Sequence, residues 1–312
     1  MNKLYAMPLT ALLGGGAAFA LRMLQNSTGF EPDTGLPIPG NIAGTALLAL
    51  LIALAAAILW LARQLPQEEP GAASFPSGFD TDSTGLLAVP MAGIFLMGLS
   101  GLADLAECAG VLPPDLSFSR HALYGILRQG GMGFSMKGQL LLGALALAAA
   151  AGLFMALSMC RRKPAGASSG AENPDAEASG GEAPQAEHKP PLSDAALGGV
   201  LLFPVGALVI RLVLTYRVDS VNPSLAMYCL ELLALVFMTL AFYRLSSFAY
   251  QAGKTSRFAV YASAASVLCM ASLADGGAYL SSALLYAGGW LTLLGFLLLR
   301  VRRMEEGTDS QS

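Results

Sequence analysis

The chain has 312 residues, of which 54% are hydrophobic and only 12% are charged, and its formal net charge at pH 7 is −3. Soluble domains carry roughly 25% charged residues, so about half of the usual charge is missing, which argues against a soluble globular fold. The small net charge gives no indication of a nucleic-acid partner.

Long apolar runs predict helices that cross a membrane. A helix needs about 20 apolar residues to span the bilayer, and only helices or closed barrels satisfy their backbone hydrogen bonds there. The runs are continuous, without the alternation that a barrel requires. The predicted fold class is therefore all-α, a polytopic helical membrane protein with about eight transmembrane helices. The predicted spans are 5–24, 40–62, 84–106, 138–160, 197–216, 224–246, 257–275 and 278–300.

The first span has a second interpretation. Lys3 precedes an apolar stretch, and the Ala-Phe-Ala sequence at 18–20 resembles a cleavage site, so the segment could be a secretory signal peptide. The charged residue Arg22 near its outer end has a counterpart in the second half of the chain. This correspondence favours a retained membrane helix.

The outer loop between the third and fourth spans, about 107–137, contains SFSRHALYGILRQGG. A serine cap, helical apolar spacing and a glycine stop predict a short amphipathic helix on the outer surface. It would serve either as a lid over a cavity or as a packing insert.

Residues 161–196 form a different kind of segment between the fourth and fifth spans. Proline, glycine, alanine, serine and glutamate dominate it, so it cannot bury enough apolar surface to offset the entropy lost on ordering. We predict four parts of the chain. They are a first four-helix transmembrane half at 1–160, a disordered cytoplasmic linker at 161–196, a second four-helix half at 197–303 and a disordered tail at 304–312.

Positive charges predict the orientation, because cytoplasmic segments of membrane proteins carry an excess of lysine and arginine. With the N-terminus inside, the inner segments hold twelve of these residues and the outer loops hold four. We therefore predict a plasma-membrane protein with both termini in the cytoplasm. The inner residues are Lys3, Arg63, Arg161, Arg162, Lys163, Lys189, Arg244, Lys254, Arg257, Arg300, Arg302 and Arg303, and the outer ones are Arg120, Arg128, Lys137 and Arg217.

The two groups of four spans resemble each other, which predicts an internal repeat. In the first spans, FALRML (19–24) corresponds to LVIRLV (208–213). The third spans end in MGLSGLAD (97–104) and LCMASLAD (268–275). Composition explains the shared leucines and alanines, but it explains the arginine and aspartate positions less well. Because four is an even number of spans, both copies would cross the membrane in the same direction, as a parallel repeat.

Charged residues within the spans are the candidate functional residues. An arginine or aspartate at the centre of a span costs about 2.5–3.5 kcal/mol, so each should face the bundle and meet an opposite charge. From matching depths we predict two pairs within the halves, Arg22–Asp104 and Arg211–Asp275. Such pairs could clamp helices together, form a solute- or ion-binding site, or extend to water at the membrane surface.

Glu231 has no counterpart in the second span of the first half. We predict that it joins Arg211 and Asp275 in an outward-facing cluster. A buried carboxylate can bind a cation or carry a proton, although it could equally complete an inert network.

The sequence contains no catalytic triad, nucleotide-binding loop, metal-binding cluster or cofactor motif, so we predict that the protein is not an enzyme and needs no cofactor. The leading function is a transporter or permease-like bundle for a small solute or ion. The alternative is a scaffold or sensor subunit whose charges only hold the helices together. The predicted partners are the lipid bilayer and a small solute or cation, and no protein partner can be named.

Overall fold

The computed structural model of the chain describes residues 3–31, 36–65, 74–111, 136–161, 194–220, 225–275 and 280–309. Regular structure in these ranges is helical apart from two isolated β-bridges. Eight of the helices they contain are long and apolar enough to cross a membrane. They are α1 (Ala6–Thr28), α2 (Ile42–Gln64), α3 (Thr84–Cys108), α4 (Met136–Met159), α5 (Asp194–Asp219), α6 (Leu225–Ser246), α7 (Thr255–Leu273) and α8 (Leu280–Asp309).

The prediction of a disordered tail at 304–312 is wrong for most of its length, because α8 continues to Asp309. Arg302 and Arg303 form ion pairs with Glu305 and Glu306 at distances of 3.3–3.5 Å. Ion pairs between residues three or four positions apart stabilise a helix. The charged residues at this end therefore support a longer last helix rather than a disordered tail.

Two other predicted segments fall mostly outside the described residues. α5 begins at Asp194, so the last residues of the predicted linker 161–196 belong to that helix. Residues 162–193 lie outside the described ranges, and so does the predicted amphipathic helix, which falls within 112–135.

The helices are arranged as a ring with two further helices outside it. α3, α4, α5, α6, α7 and α8 pack each against the next, and α8 packs closely against α3 to complete the ring. α1 packs against α7, and α2 packs against α1 and α7. The first four helices therefore do not form a spatial unit, because α7 and α8 separate α1 and α2 from α3 and α4.

Glycines allow the closest helix contact, between α3 and α8. A Cβ atom added to Gly93 would overlap the backbone nitrogen of Thr292, and one added to Gly288 would lie 2.7 Å from the carbonyl oxygen of Gly93. Small residues let membrane helices approach closely and gain packing contacts.

The segment before α3 closes one end of the bundle. Phe79 is fully buried, and its ring lies 5.1 Å from that of Phe248 and 5.9 Å from that of Phe296. Arg300, which is only 5% exposed, donates hydrogen bonds to the hydroxyl of Thr255 and the carbonyl of Gly78, both at 2.9 Å. We call this end, where α1, α3, α5 and α7 begin, the N-terminal end of the bundle.

Candidate functional site

Two buried ion pairs lie towards the opposite end of the bundle. In the first, Nε of Arg22 in α1 donates to Oδ1 of Asp275, just beyond α7, at 2.6 Å. Asn26 donates to the same carboxylate oxygen at 2.8 Å, and Gln25 accepts a hydrogen bond from the Arg22 guanidinium at 2.9 Å. The Arg22 side chain is 2% exposed and that of Asp275 is 17% exposed, so this pair reaches the edge of the bundle.

The second pair lies inside the ring. Nη1 of Arg211 in α5 donates to Oδ2 of Asp104 in α3 at 2.9 Å, and the two side chains are only 4% and 1% exposed. Nη2 of Arg211 donates to the hydroxyls of Ser281 and Ser282 in α8, both at 3.1 Å. Because α5 packs against α4 and α6, Arg211 reaches α3 and α8 across the interior.

The predicted partners of the four residues are exchanged. Arg22 does not pair with Asp104, and Arg211 does not pair with Asp275. Each arginine instead meets the aspartate of the other half of the chain. Matching depth was a sound criterion, but it cannot distinguish two aspartates at the same level. The helix neighbours decide between them, since α1 lies against α7 rather than against α3.

Glu231 belongs to the network inside the ring. The hydroxyl of Tyr286 in α8, which is fully buried, donates to Oε1 of Glu231 in α6 at 2.9 Å. Glu231 is itself 6% exposed, and both residues interact electrostatically with Arg211. In the predicted cluster of Glu231, Arg211 and Asp275, the pairing of Arg211 with Asp275 is wrong, because the aspartate bonded to Arg211 is Asp104.

The network inside the ring is incompletely bonded. Within the described ranges, Oδ1 of Asp104 and Nε of Arg211 are buried without a hydrogen-bond partner. A cavity of about 10 Å³ adjoins Arg211, with Met97, Leu208 and Leu285 among its lining residues. The other residues that line this cavity are apolar, so Arg211 is its one charged neighbour among the described residues. A volume of about 10 Å³ is the lower limit for one water molecule, so the interior is closely packed here.

Three residues of this network were not predicted from the sequence. Ser281, Ser282 and Tyr286 all lie within the eighth predicted span, 278–300. A pair of serines beside a tyrosine one turn further along an apolar helix is a usable signal, because polar groups within spans usually bond to each other. Arg300 was predicted only to lie in an inner segment, and its burial was not predicted.

The fold and the buried charges define an integral membrane protein of the polytopic helical class. No protein-family model, no curated protein and no solved structure matches the chain. Its function is therefore inferred from the geometry of the site itself.

Proposed function

We propose that the protein is a transporter-like helical bundle for a proton or a small monovalent cation, with Glu231 as the ion-binding carboxylate. One observation carries the proposal. Ionisable side chains form a buried network across the ring, from Glu231 and Tyr286 to Arg211 and Asp104. Ionisable residues inside membrane bundles are costly, and they mark ion pathways and proton relays.

The chemistry of the network suits a small ion. A carboxylate and a phenol joined by a hydrogen bond can hold and exchange a proton. The unbonded Oδ1 atom of Asp104 offers a further oxygen ligand within the same interior. The small cavity beside Arg211, about 10 Å³, indicates an interior too closely packed for a larger solute.

The proposal extends to the organisation of the two halves. Each pair joins a residue of the first half of the sequence to one of the second half. A movement of α1 against α7 would therefore act on the outer pair, and a movement of α5 against α3 would act on the inner pair. Parallel repeats of this kind occur in transporters, and the corresponding arginine and aspartate positions support such a repeat here. The excess of positive charge in the predicted inner segments supports a plasma-membrane location with cytoplasmic termini.

Flux through purified protein in liposomes tests the proposal. Vesicles are loaded with a pH-sensitive dye or with labelled Na⁺ or K⁺, and a gradient of the same ion is imposed. We expect the wild-type protein to dissipate one of these gradients. The Glu231→Gln variant should reduce the rate at least tenfold, since the amide keeps the shape of the side chain but loses its charge and its exchangeable proton.

Glu107→Gln is the matched control, because Glu107 is a half-buried carboxylate near the end of α3 that accepts a hydrogen bond from Gln139 at 3.1 Å. This variant should transport like the wild type. If wild-type vesicles are as impermeable to H⁺, Na⁺ and K⁺ as protein-free vesicles, the transport proposal is wrong.

A second candidate function is a scaffold or sensor subunit with structural ion pairs. It is favoured by the direct contacts of 2.6 and 2.9 Å in the two pairs and by the small volume of the cavity. A scaffold predicts no flux in any vesicle, together with co-purification of a partner that depends on intact ion pairs.

A further inference from the structure

A second cavity, separate from the ion-pair network, lies at the N-terminal end of the bundle. It measures about 790 Å³, is open to the surface, and is bordered by the ends of α2 and α6 and the beginning of α7. Ligand sites in proteins commonly have volumes of about 300–1,000 Å³. The hydroxyl of Ser256 at the start of α7 donates to the carbonyl of Ala62 near the end of α2 at 3.0 Å, which fixes one wall.

The lining of this cavity is strongly basic. Four of its side chains are cationic, and none of its described lining residues is a carboxylate. Within the described ranges, none of the four forms an ion pair, whereas Arg302 and Arg303 at the same end do. The four are Arg63, Arg244, Lys254 and Arg257.

Arg244 is held in place but keeps an unused donor. Its guanidinium carbon lies 5.6 Å from the ring centre of Tyr243 and 5.7 Å from that of Tyr261. Its Nε atom is buried and has no hydrogen-bond partner among the described residues. A buried donor without an acceptor is destabilising. An anion in the cavity would supply the missing acceptor.

The backbone adds further donors. Thr255, Ser256 and Arg257 form the first turn of α7 and line the cavity. The residue before them, Lys254, makes no side-chain hydrogen bond to this turn. The first N–H groups of a helix have no partner within the helix and favour an anion. The cavity is thus lined by four cationic side chains, one of which has an unbonded Nε–H group, and by the first turn of α7.

We propose that this cavity binds a phosphate group, and that the phosphate belongs to the headgroup of an anionic phospholipid. Trp60 in α2 and Tyr243 in α6 are 62% and 49% exposed and adjoin the lining. Exposed aromatic residues of membrane proteins lie at the headgroup level, so the four cations lie at the depth of lipid phosphates. Basic pockets between membrane helices at this level bind anionic headgroups.

The apolar part of the cavity supports a lipid rather than a free phosphate ester. Leu59 and Val260 contribute to its walls. In α2, only 17% of the most apolar stretch is buried, compared with 67% in α8. The α2 helix therefore presents an apolar surface beside the cavity, along which acyl chains would extend.

Native mass spectrometry in detergent, with added phosphatidylglycerol or phosphatidylcholine, tests the proposal. We expect wild-type protein to retain phosphatidylglycerol in preference to phosphatidylcholine. The Arg63→Gln/Lys254→Gln variant changes two exposed side chains and should fold normally. It should bind phosphatidylglycerol about thirtyfold more weakly, because each of the two basic residues near the headgroup contributes about 1 kcal/mol. Arg244→Gln should weaken binding at least about fivefold, the effect of one such residue.

Arg302→Gln is the control, since Arg302 lies at the same end of the bundle, outside the cavity, and pairs with Glu305. It should bind like the wild type. Equal binding by wild type and both cavity variants would overturn the site. Competition by glycerol phosphate without retention of phosphatidylglycerol would overturn the lipid assignment.

Glu68 and Glu69 follow α2 in the sequence and lie outside the described residues. Because their carboxylates could neutralise the cations of the cavity, the experiment also includes the Glu68→Gln/Glu69→Gln variant. If only the Glu68→Gln/Glu69→Gln variant retained phosphatidylglycerol, the chain itself would supply the counter-charge, and the proposal would be wrong.

Discussion

The two ion pairs contain the same residue types but lie in different surroundings. Arg22–Asp275 joins α1 to α7 at the edge of the bundle, where the aspartate side chain is 17% exposed and the amides of Gln25 and Asn26 add hydrogen bonds. Oδ2 of Asp275 and Oδ1 of Asn26 still have no hydrogen-bond partner among the described residues. Arg211–Asp104 lies inside the ring, where both side chains are at most 4% exposed and the neighbours are hydroxyls, Tyr286 and Glu231.

We therefore assign different roles to the two pairs. Removing one partner of a fully buried pair leaves an uncompensated charge, which is far more destabilising than the same change near water. The outer pair therefore acts mainly to fasten α1 to the ring. The inner pair organises the interior in which the proposed ion site lies. Mutations that affect the two pairs unequally would support this distinction.

Reversing the inner charge should have the largest effect. Arg211→Asp places a second carboxylate beside Asp104 and should reduce the free energy of unfolding by at least about 5 kcal/mol. Adding Asp104→Arg should restore part of the folded protein, measured as monodisperse material after detergent extraction. Adding Asp275→Arg instead should restore none. Recovery by the Asp275 exchange alone would contradict the observed pairing.

Truncating the inner arginine comes next. Arg211→Ala leaves Asp104 buried without its counter-charge, so we expect a loss of about 3–5 kcal/mol. The measurement is unfolding by SDS in mixed micelles. Arg302→Ala, at an exposed site, should change the stability by less than about 0.5 kcal/mol.

The outer pair should be less sensitive. In the Arg22→Ala variant, Asp275 keeps the hydrogen bond from Asn26 and some contact with solvent. We expect a loss of about 2 kcal/mol, as for hydrogen bonds to charged groups. The same SDS titration measures it, and a loss equal to that of Arg211→Ala would remove the distinction between the pairs.

The smallest effect should come from Asn26→Ala. Asn26 donates to Asp275 and, at 3.2 Å, to the carbonyl of Ala274, but the ion pair itself remains. We expect about 1 kcal/mol, in line with the net value of a hydrogen bond. Thermal unfolding in detergent is precise enough to detect it. An effect larger than that of Arg22→Ala would mean that the amide, not the guanidinium, holds α7.

Much of the fold follows from the sequence, because crossing a bilayer imposes length and polarity on each span. The spans were predicted close to their observed bounds, and Arg22 and Arg211 were expected to meet carboxylates. Helix neighbours were not predictable, since apolar helices give no signal of which faces meet. For this reason, Asp104 and Asp275 were each predicted to pair with the wrong arginine. The basic cavity was missed for the same reason, because its four cations come from three helices, α2, α6 and α7, and from the residue before α7.

The position of α1 outside the ring has a consequence for biosynthesis. Arg22 leaves the ribosome early, but its partner Asp275 lies 253 residues later in the chain. Until α7 has been synthesised, α1 therefore lies in the bilayer without the carboxylate that pairs with Arg22 in the folded protein. Arg211, in contrast, meets an Asp104 that is already inserted. The first hairpin can dock only when α7 has been made, so chains truncated before that point should expose α1 to quality-control proteases.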